Sequence, residues 1–143
     1  MTTVYLDNCC FNRPFDDQLH PLVKIETEAK LLIQAEVLAG KLKLVWSYIL
    51  YQENHDNPYP NRKNQISIWE PLASQTIVRT VEIETHAESL LPIGFKVKDA
   101  LHIACAIAAN ADYFITTDKK VLNKIVPGIT IVNPIDFIKE AFS

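Results

Sequence analysis

Four acidic residues stand where a carboxylate could do more than solvate a surface. Asp7 closes the apolar run Val4-Tyr5-Leu6, and Glu53 ends the segment SYILYQE. Asp99 opens the alanine-rich run DALHIACAIAA, and Asp118 lies two residues past the run that ends at Thr116. Taken singly, each has an ordinary explanation: a turn-forming Asp after a strand, an Asp favouring a helix dipole, a Glu on a solvated face. Taken together, they raise a chemical problem. Carboxylates brought close to one another raise each other's pKa values and titrate as a coupled set. A divalent cation relieves that repulsion, and an all-oxygen donor set suits Mg²⁺ or Mn²⁺ better than zinc. Such a site lowers the pKa of a bound water and stabilises a phosphate undergoing in-line displacement, so the chemistry implied is phosphodiester hydrolysis.

The elements that must position these acids alternate between strand and helix. Val4–Leu6 reads as a first strand, followed by an irregular stretch, CCFNRPFDDQ. Pro21 fits a first helical position, and Ile25, Ala29, Leu32, Ala35 and Leu38 recur at helical spacing until Gly40 stops the helix. Residues 42–47 read as a second strand and 48–54 as a short helix. The Asn- and Pro-rich stretch NHDNPYPNRKN reads as a loop or the start of a helix. Residues 75–79 predict a strand, and Thr80 caps a helix reaching Leu91. A helix over 98–110 precedes the strand 113–116. The strand 129–132 leads through Asn133-Pro134 into a final helix. This alternation predicts a single α/β domain over residues 1–143, with a parallel sheet covered on both faces. In that architecture ligands bind beyond the carboxyl ends of the strands, which is where Asp7, Glu53 and Asp118 fall. Most other acids do not: Glu26, Glu28 and Glu36 are expected on the polar side of their helix, and Asp16, Asp17 and Asp56 in loops.

Composition narrows the alternatives. Of 143 residues, 48% are apolar and 22% charged, a globular balance, and the net charge of −3 excludes a generic polycation for coating nucleic acid. No apolar run approaches the roughly 18–20 residues of a membrane span. The N-terminus lacks a signal-peptide pattern, so a cytoplasmic location is expected. Only three glycines occur, Gly40, Gly94 and Gly128, and none forms a phosphate-cradling motif. Cys9, Cys10, Cys105 and His102 admit a zinc reading through the i, i+3 pair on one helix. Adjacent cysteines chelate poorly, however, and buried small side chains are the plainer expectation.

The segments VYLDN, SYILYQE, KDALHIACAIAANADYFITTDKKVL and ITIVNPIDFI, in that order, span nearly the whole chain. In these the sequence resembles the PIN-domain family, metal-dependent ribonucleases that include the VapC-type toxins of toxin–antitoxin pairs. The resemblance implies a three-layer α/β/α sandwich around a parallel sheet. It carries the family's four acids, as catalytic and metal-binding groups for Mg²⁺ or Mn²⁺, onto Asp7, Glu53, Asp99 and Asp118. It gives Thr116 or Thr117 the orienting of a carboxylate or water. It further implies an RNA substrate, homodimerisation and, for a toxin, inhibition by an antitoxin protein. The apolar residues after Asp7, Phe11 and Phe15 among them, and the helix from Pro21 are candidate walls for that inhibitor; core packing or a dimer contact is the alternative.

The chain departs from the family where Asn8 to Phe15 follow the first acid. Asn8 is open to two readings, holding a metal-bound water or forming a turn. His102, one helical turn after Asp99, is open to two as well, a general acid or a packing or hydrogen-bonding residue. Trp46 and Trp69 are expected in the core rather than stacked on bases. Lys96, Lys98, Lys119, Lys120 and Lys124 flank the third and fourth acids, and Arg13 and Arg62-Lys63 lie near the first acid and in the long loop. They suggest a basic rim able to hold phosphates, with single-stranded RNA the favoured substrate. A PIN-like scaffold that binds RNA or protein without cutting is the alternative, and the intact set of acids speaks against it.

Overall fold

A computed structural model describes residues 1–142. Its centre is a five-stranded parallel sheet in the order β3-β2-β1-β4-β5. The strands are β1 (Thr3–Leu6), β2 (Lys43–Ser47), β3 (Gln75–Ile77), β4 (Tyr113–Ile115) and β5 (Thr130–Val132). β1 lies in the middle, with Tyr5 beside Val45 on one side and Phe114 on the other. The chain runs outward from β1 through β2 to β3, then crosses back to β4 and β5. The direction of winding therefore reverses at the β1/β4 boundary, the crevice where open α/β sheets bind ligands. Right-handed crossovers then place helices on opposite faces. One layer holds α1 (Asn8–Asn12), α2 (Pro21–Leu38), α3 (Tyr48–His55) and α4 (Pro60–Ser67). The other holds α5 (Val81–Leu90), α6 (Val97–Ala108) and the short α7 (Lys119–Leu122). The last helix, α8 (Pro134–Ala141), packs on α2. The result is the three-layer α/β/α sandwich expected. Among the described residues no helix is long and apolar enough to cross a membrane.

One segment differs from the sequence reading, and another resolves it. Residues 8–15 are not irregular: α1 and a 3-10 turn (Arg13–Phe15) follow β1 directly. Asp7 itself starts that helix, its carboxylate accepting from the Asn8 amide at 2.8 Å. The Asn- and Pro-rich stretch does start a helix, α4, with Pro60 in its first turn.

The larger correction concerns α2. Apolar spacing predicts an inward face of Ile25, Ala29, Leu32, Ala35 and Leu38. Of these only Ala29 is buried, and Ile25, Leu32 and Leu38 are at least half exposed. Buried instead are Glu26, Thr27, Lys30, Ile33, Gln34 and Val37. The Arg13 guanidinium binds Glu26 Oε1 at 3.0 Å and Asp16 Oδ2 at 3.0 Å, while its carbonyl accepts from Thr27 Oγ1 at 3.1 Å. The inward face is mixed, with Ile33 and Val37 beside the polar residues, and Glu26 pairs with the 3-10 turn and does not lie on a solvated face.

Phe11, offered above as a groove wall, is fully buried, its ring edge-on to Trp46 at 5.4 Å. Trp46 is a core residue, and Trp69 packs against the core from outside it.

Lys30 carries a charge into this layer without a carboxylate to meet it. Burial pushes its pKa from 10.5 down to about 8, opposed only weakly by the Cys10 thiol. The unfolded chain therefore holds this proton more tightly than the folded one, and stability rises with pH between those two values. Lys30→Met is expected to stabilise the protein at pH 7 by about 1–3 kcal/mol, the cost of a buried polar group without a partner. Denaturant titrations at several pH values should show that gain shrinking from about pH 8 to pH 10.5. A constant difference would show that the ammonium is not what α2 bears.

Candidate active site at the carboxyl rim of the sheet

Asp7 follows β1, and its own amide donates to Ile115 O at 2.9 Å, which sews the ends of β1 and β4 together. The carboxylate is nearly buried, and Oδ2 accepts from Thr116 Oγ1 at 2.8 Å. The same hydroxyl oxygen accepts from the Asp118 amide at 3.1 Å. Thr116 thus ties the first and fourth acids through one side chain, the orienting role anticipated for Thr116 or Thr117. Asp118 caps α7, accepting from the Lys120 amide at 2.9 Å. Asp99 lies half-buried in the first turn of α6. Burial pushes its carboxyl pKa up, and the nearby charges of Asp7 and Asp118, then Glu53, push it further, against the opposing His102.

Glu53, on α3, faces a histidine. Its Oε1 makes a short hydrogen bond with His102 Nε2, and Asp7 Oδ1 lies 3.8 Å from the same nitrogen. The other ring nitrogen, Nδ1, is 2.6 Å from Tyr5 Oη, which is 2.6 Å from Ser47 Oγ. Burial alone would push the imidazole pKa down. The Glu53 hydrogen bond and the Asp7, Glu53 and Asp99 charges outweigh it, and His102 is raised above its usual range. Burial raises the Tyr5 phenol well above its ordinary value, so it stays neutral. The donors count out with a charged imidazole: Nε2–H to Glu53, Nδ1–H to Tyr5 Oη, and Tyr5 O–H to Ser47 Oγ.

Tyr5 and Ser47 were missed in the sequence. The signal for Tyr5 was present: a central parallel strand is buried on both faces, so a tyrosine there needs a partner for its hydroxyl. His102 joins the site hydrogen-bonded at both ring nitrogens. The Asn8 side chain accepts through Oδ1 from Asn12 Nδ2 at 3.3 Å. The cysteines do not form a zinc set. Cys9 contacts Asp7 and Thr116, Cys10 donates to Ile115 O, and Cys105 is buried elsewhere.

Among the described residues, no three Asp, Glu, His or Cys side chains converge tightly enough to hold a metal ion as placed. The donor chemistry nevertheless fits a hard divalent cation. Asp7, Asp99 and Asp118 form no ion pair with any lysine or arginine among the described residues, and Asp99 shows their mutual repulsion. A raised carboxyl pKa means stability present below the ordinary value of 3.8 and lost as pH climbs through the folded-state value. At neutral pH the Asp99 charge therefore opposes folding. Asp99→Asn is expected to raise the melting temperature of the metal-free protein at pH 7. A fall would show that the carboxylate is stabilised by its neighbours rather than repelled.

The basic rim is smaller than the sequence suggests. Arg13 is spent on Glu26 and Asp16, and Arg62 on Asp16 and the Phe15 carbonyl at 2.7 Å. Lys96, Lys98, Lys119 and Lys120 remain exposed and unpaired among the described residues.

The strand order and the reversal of winding at β1/β4 define a class of fold, a three-layer α/β/α sandwich around a parallel sheet, consistent with a PIN-like fold. In particular, the chain is similar to one in the crystal structure of VapBC2 from Rickettsia felis bound to a DNA fragment from their promoter. The match has a TM-score of 0.58 and 16% sequence identity, and it covers 92% of this chain and 98% of the other. At that identity the likeness is one of fold. No family model and no curated protein matches the sequence.

Proposed function

We propose that this protein is a metal-dependent endoribonuclease acting on single-stranded RNA, and the toxin of a toxin–antitoxin pair that functions as a homodimer in the cytoplasm. One observation carries the reading: a half-buried Asp99 whose carboxyl pKa is raised by burial and by Asp7, Asp118 and Glu53 at the carboxyl rim, with no lysine or arginine paired to Asp7, Asp99 or Asp118 among the described residues. Asp7, Glu53, Asp99 and Asp118 are the groups to hold Mg²⁺ or Mn²⁺. The ion, when bound, supplies charge stabilisation at the phosphate and activation of water. Thr116 fixes the Asp7 carboxylate through its hydroxyl. His102 holds a proton at Nε2 between Glu53 and Asp7, and Tyr5 and Ser47 fix the ring's orientation. The exposed lysines after Asp118 and before Asp99 attract the phosphate backbone without reading sequence.

The test is purified protein with mixed single-stranded RNAs, with and without Mn²⁺ or Mg²⁺, and end mapping of the products. Cleavage that requires the metal supports the reading, and RNA bound but uncut points to the scaffold instead. The cation itself is expected to raise the melting temperature of the parent chain by relieving the repulsion, and to do so much less in Asp99→Asn. Equal shifts in both proteins would place the ion elsewhere. Co-expression with the neighbouring gene product tests for an inhibitory partner, and recovery of this chain alone counts against one.

A further inference from the structure

A second concavity, sharing none of the four acids, opens among the 3-10 turn, α2 and α4. It encloses about 400 Å³, and its walls include Phe15, Leu31, Ile66 and Trp69. Two polar side chains enter it from one face of α2, Lys30 and Gln34, spaced i, i+4. Both residues are only 4% exposed. The Gln34 amide nitrogen has no hydrogen-bond partner. The Lys30 ammonium has no carboxylate or hydrogen-bond acceptor among the described residues; its one directional contact is the Phe11 ring, 5.6 Å from Nζ to the centroid. A buried donor left without an acceptor is destabilising, and here Gln34 Nε2 is one, with the unpaired Lys30 ammonium in the same chamber.

We propose that this chamber binds a carboxylate carried on an apolar body, with the carboxylate accepting from Lys30 Nζ and Gln34 Nε2 and the body lying against Phe15, Ile66 and Trp69. The volume falls in the range of small-molecule sites, about 300–1,000 Å³, which are mostly apolar with a few convergent polar groups. One ammonium and one amide match a single negative charge. A phosphate dianion would need more, and the nearest guanidiniums, Arg13 and Arg62, are already committed to Asp16, Glu26 and the Phe15 carbonyl. The ammonium is available as a cation at neutral pH, since its pKa stands at about 8. The same chemistry is offered by a free aryl or alkyl acid and by the C-terminal carboxylate of a peptide ending in an apolar residue.

Calorimetric titration with 3-phenylpropionate and with 3-phenylpropanamide tests the charge. A short peptide ending in Phe, with a free or an amidated terminus, tests the source. The acid is expected to bind the parent chain, and the neutral amide at least about 10-fold more weakly, as for loss of one partner in a desolvated charge pair. Lys30→Met should weaken the acid by a similar factor, and Gln34→Leu should weaken it less. Lys30→Met is expected to be the more stable protein, so its loss of binding would not reflect unfolding. Asp99→Asn should bind as the parent does, which separates this chamber from the nuclease reading. Preference for the free-terminus peptide over the free acid assigns the ligand to a chain end, and the reverse to a small molecule. Equal binding of acid and amide, no binding of any probe, or parent-like binding by Lys30→Met would overturn the proposal.

Discussion

Asp99→Asn is expected to abolish metal-dependent RNA cleavage while leaving a folded, more stable protein. Loss of outer-shell partners at metal sites costs 10–100-fold, so loss of a carboxylate at the centre should cost at least about 100-fold in rate. The substitution is close to isosteric and removes only charge. Asp99 donates or accepts no structural hydrogen bond that would be sacrificed, unlike Asp7, whose carboxylate also holds Asn8 and Thr116. Asp7→Asn should be equally inactive, with some loss of stability in place of a gain. The opposite signs of the two stability changes, beside a shared loss of cleavage, form the diagnostic pattern. Cleavage retained in both variants, once contaminating nuclease is excluded, would show that the acids are not the catalytic set.

The second large effect is structural. Phe11→Ala should cost about 3–5 kcal/mol, the usual toll for emptying a buried aromatic site. Phe11 is fully buried between Trp46 and the Lys30 ammonium. Phe15, four residues on, only leans against the core, and its truncation should cost about 1 kcal/mol. Urea denaturation of the two variants side by side checks the contrast. Similar losses would mean that the segment after Asp7 packs as one layer, with no distinction between core and chamber wall.

That contrast also marks what could be read from residues alone. The strands, the helix starts at Pro21, Thr80 and Asn133, and the placement of Asp7 and Asp118 past strand ends follow from local patterns: short apolar runs, caps and prolines. The face of α2 does not. Glu26 faces inward to meet Arg13, thirteen residues upstream, on the same side as Ile33 and Val37. Such a pairing leaves no trace in helical periodicity. Asp99 was legible because it opens a helix, and its company was not: nothing in the run DALHIACA says that His102 reaches back to Tyr5, 97 residues earlier. Elements are local, and the relay that links them is not.

The order of the strands has a consequence for biosynthesis. β1 is translated first, yet one of its two neighbours, β4, is nearly the last strand to be made. On the ribosome, β1, β2 and β3 have all left the peptidyl-transferase centre while β1 still has an open edge. The bond from Thr116 to Asp7 spans 109 residues and cannot form until the final quarter of the chain emerges. Until those residues are made, the nascent protein carries Asp7 and Glu53 without Asp99 or Asp118 beside them. Under the proposed nuclease reading, all four acids can meet only once Asp118 has been made.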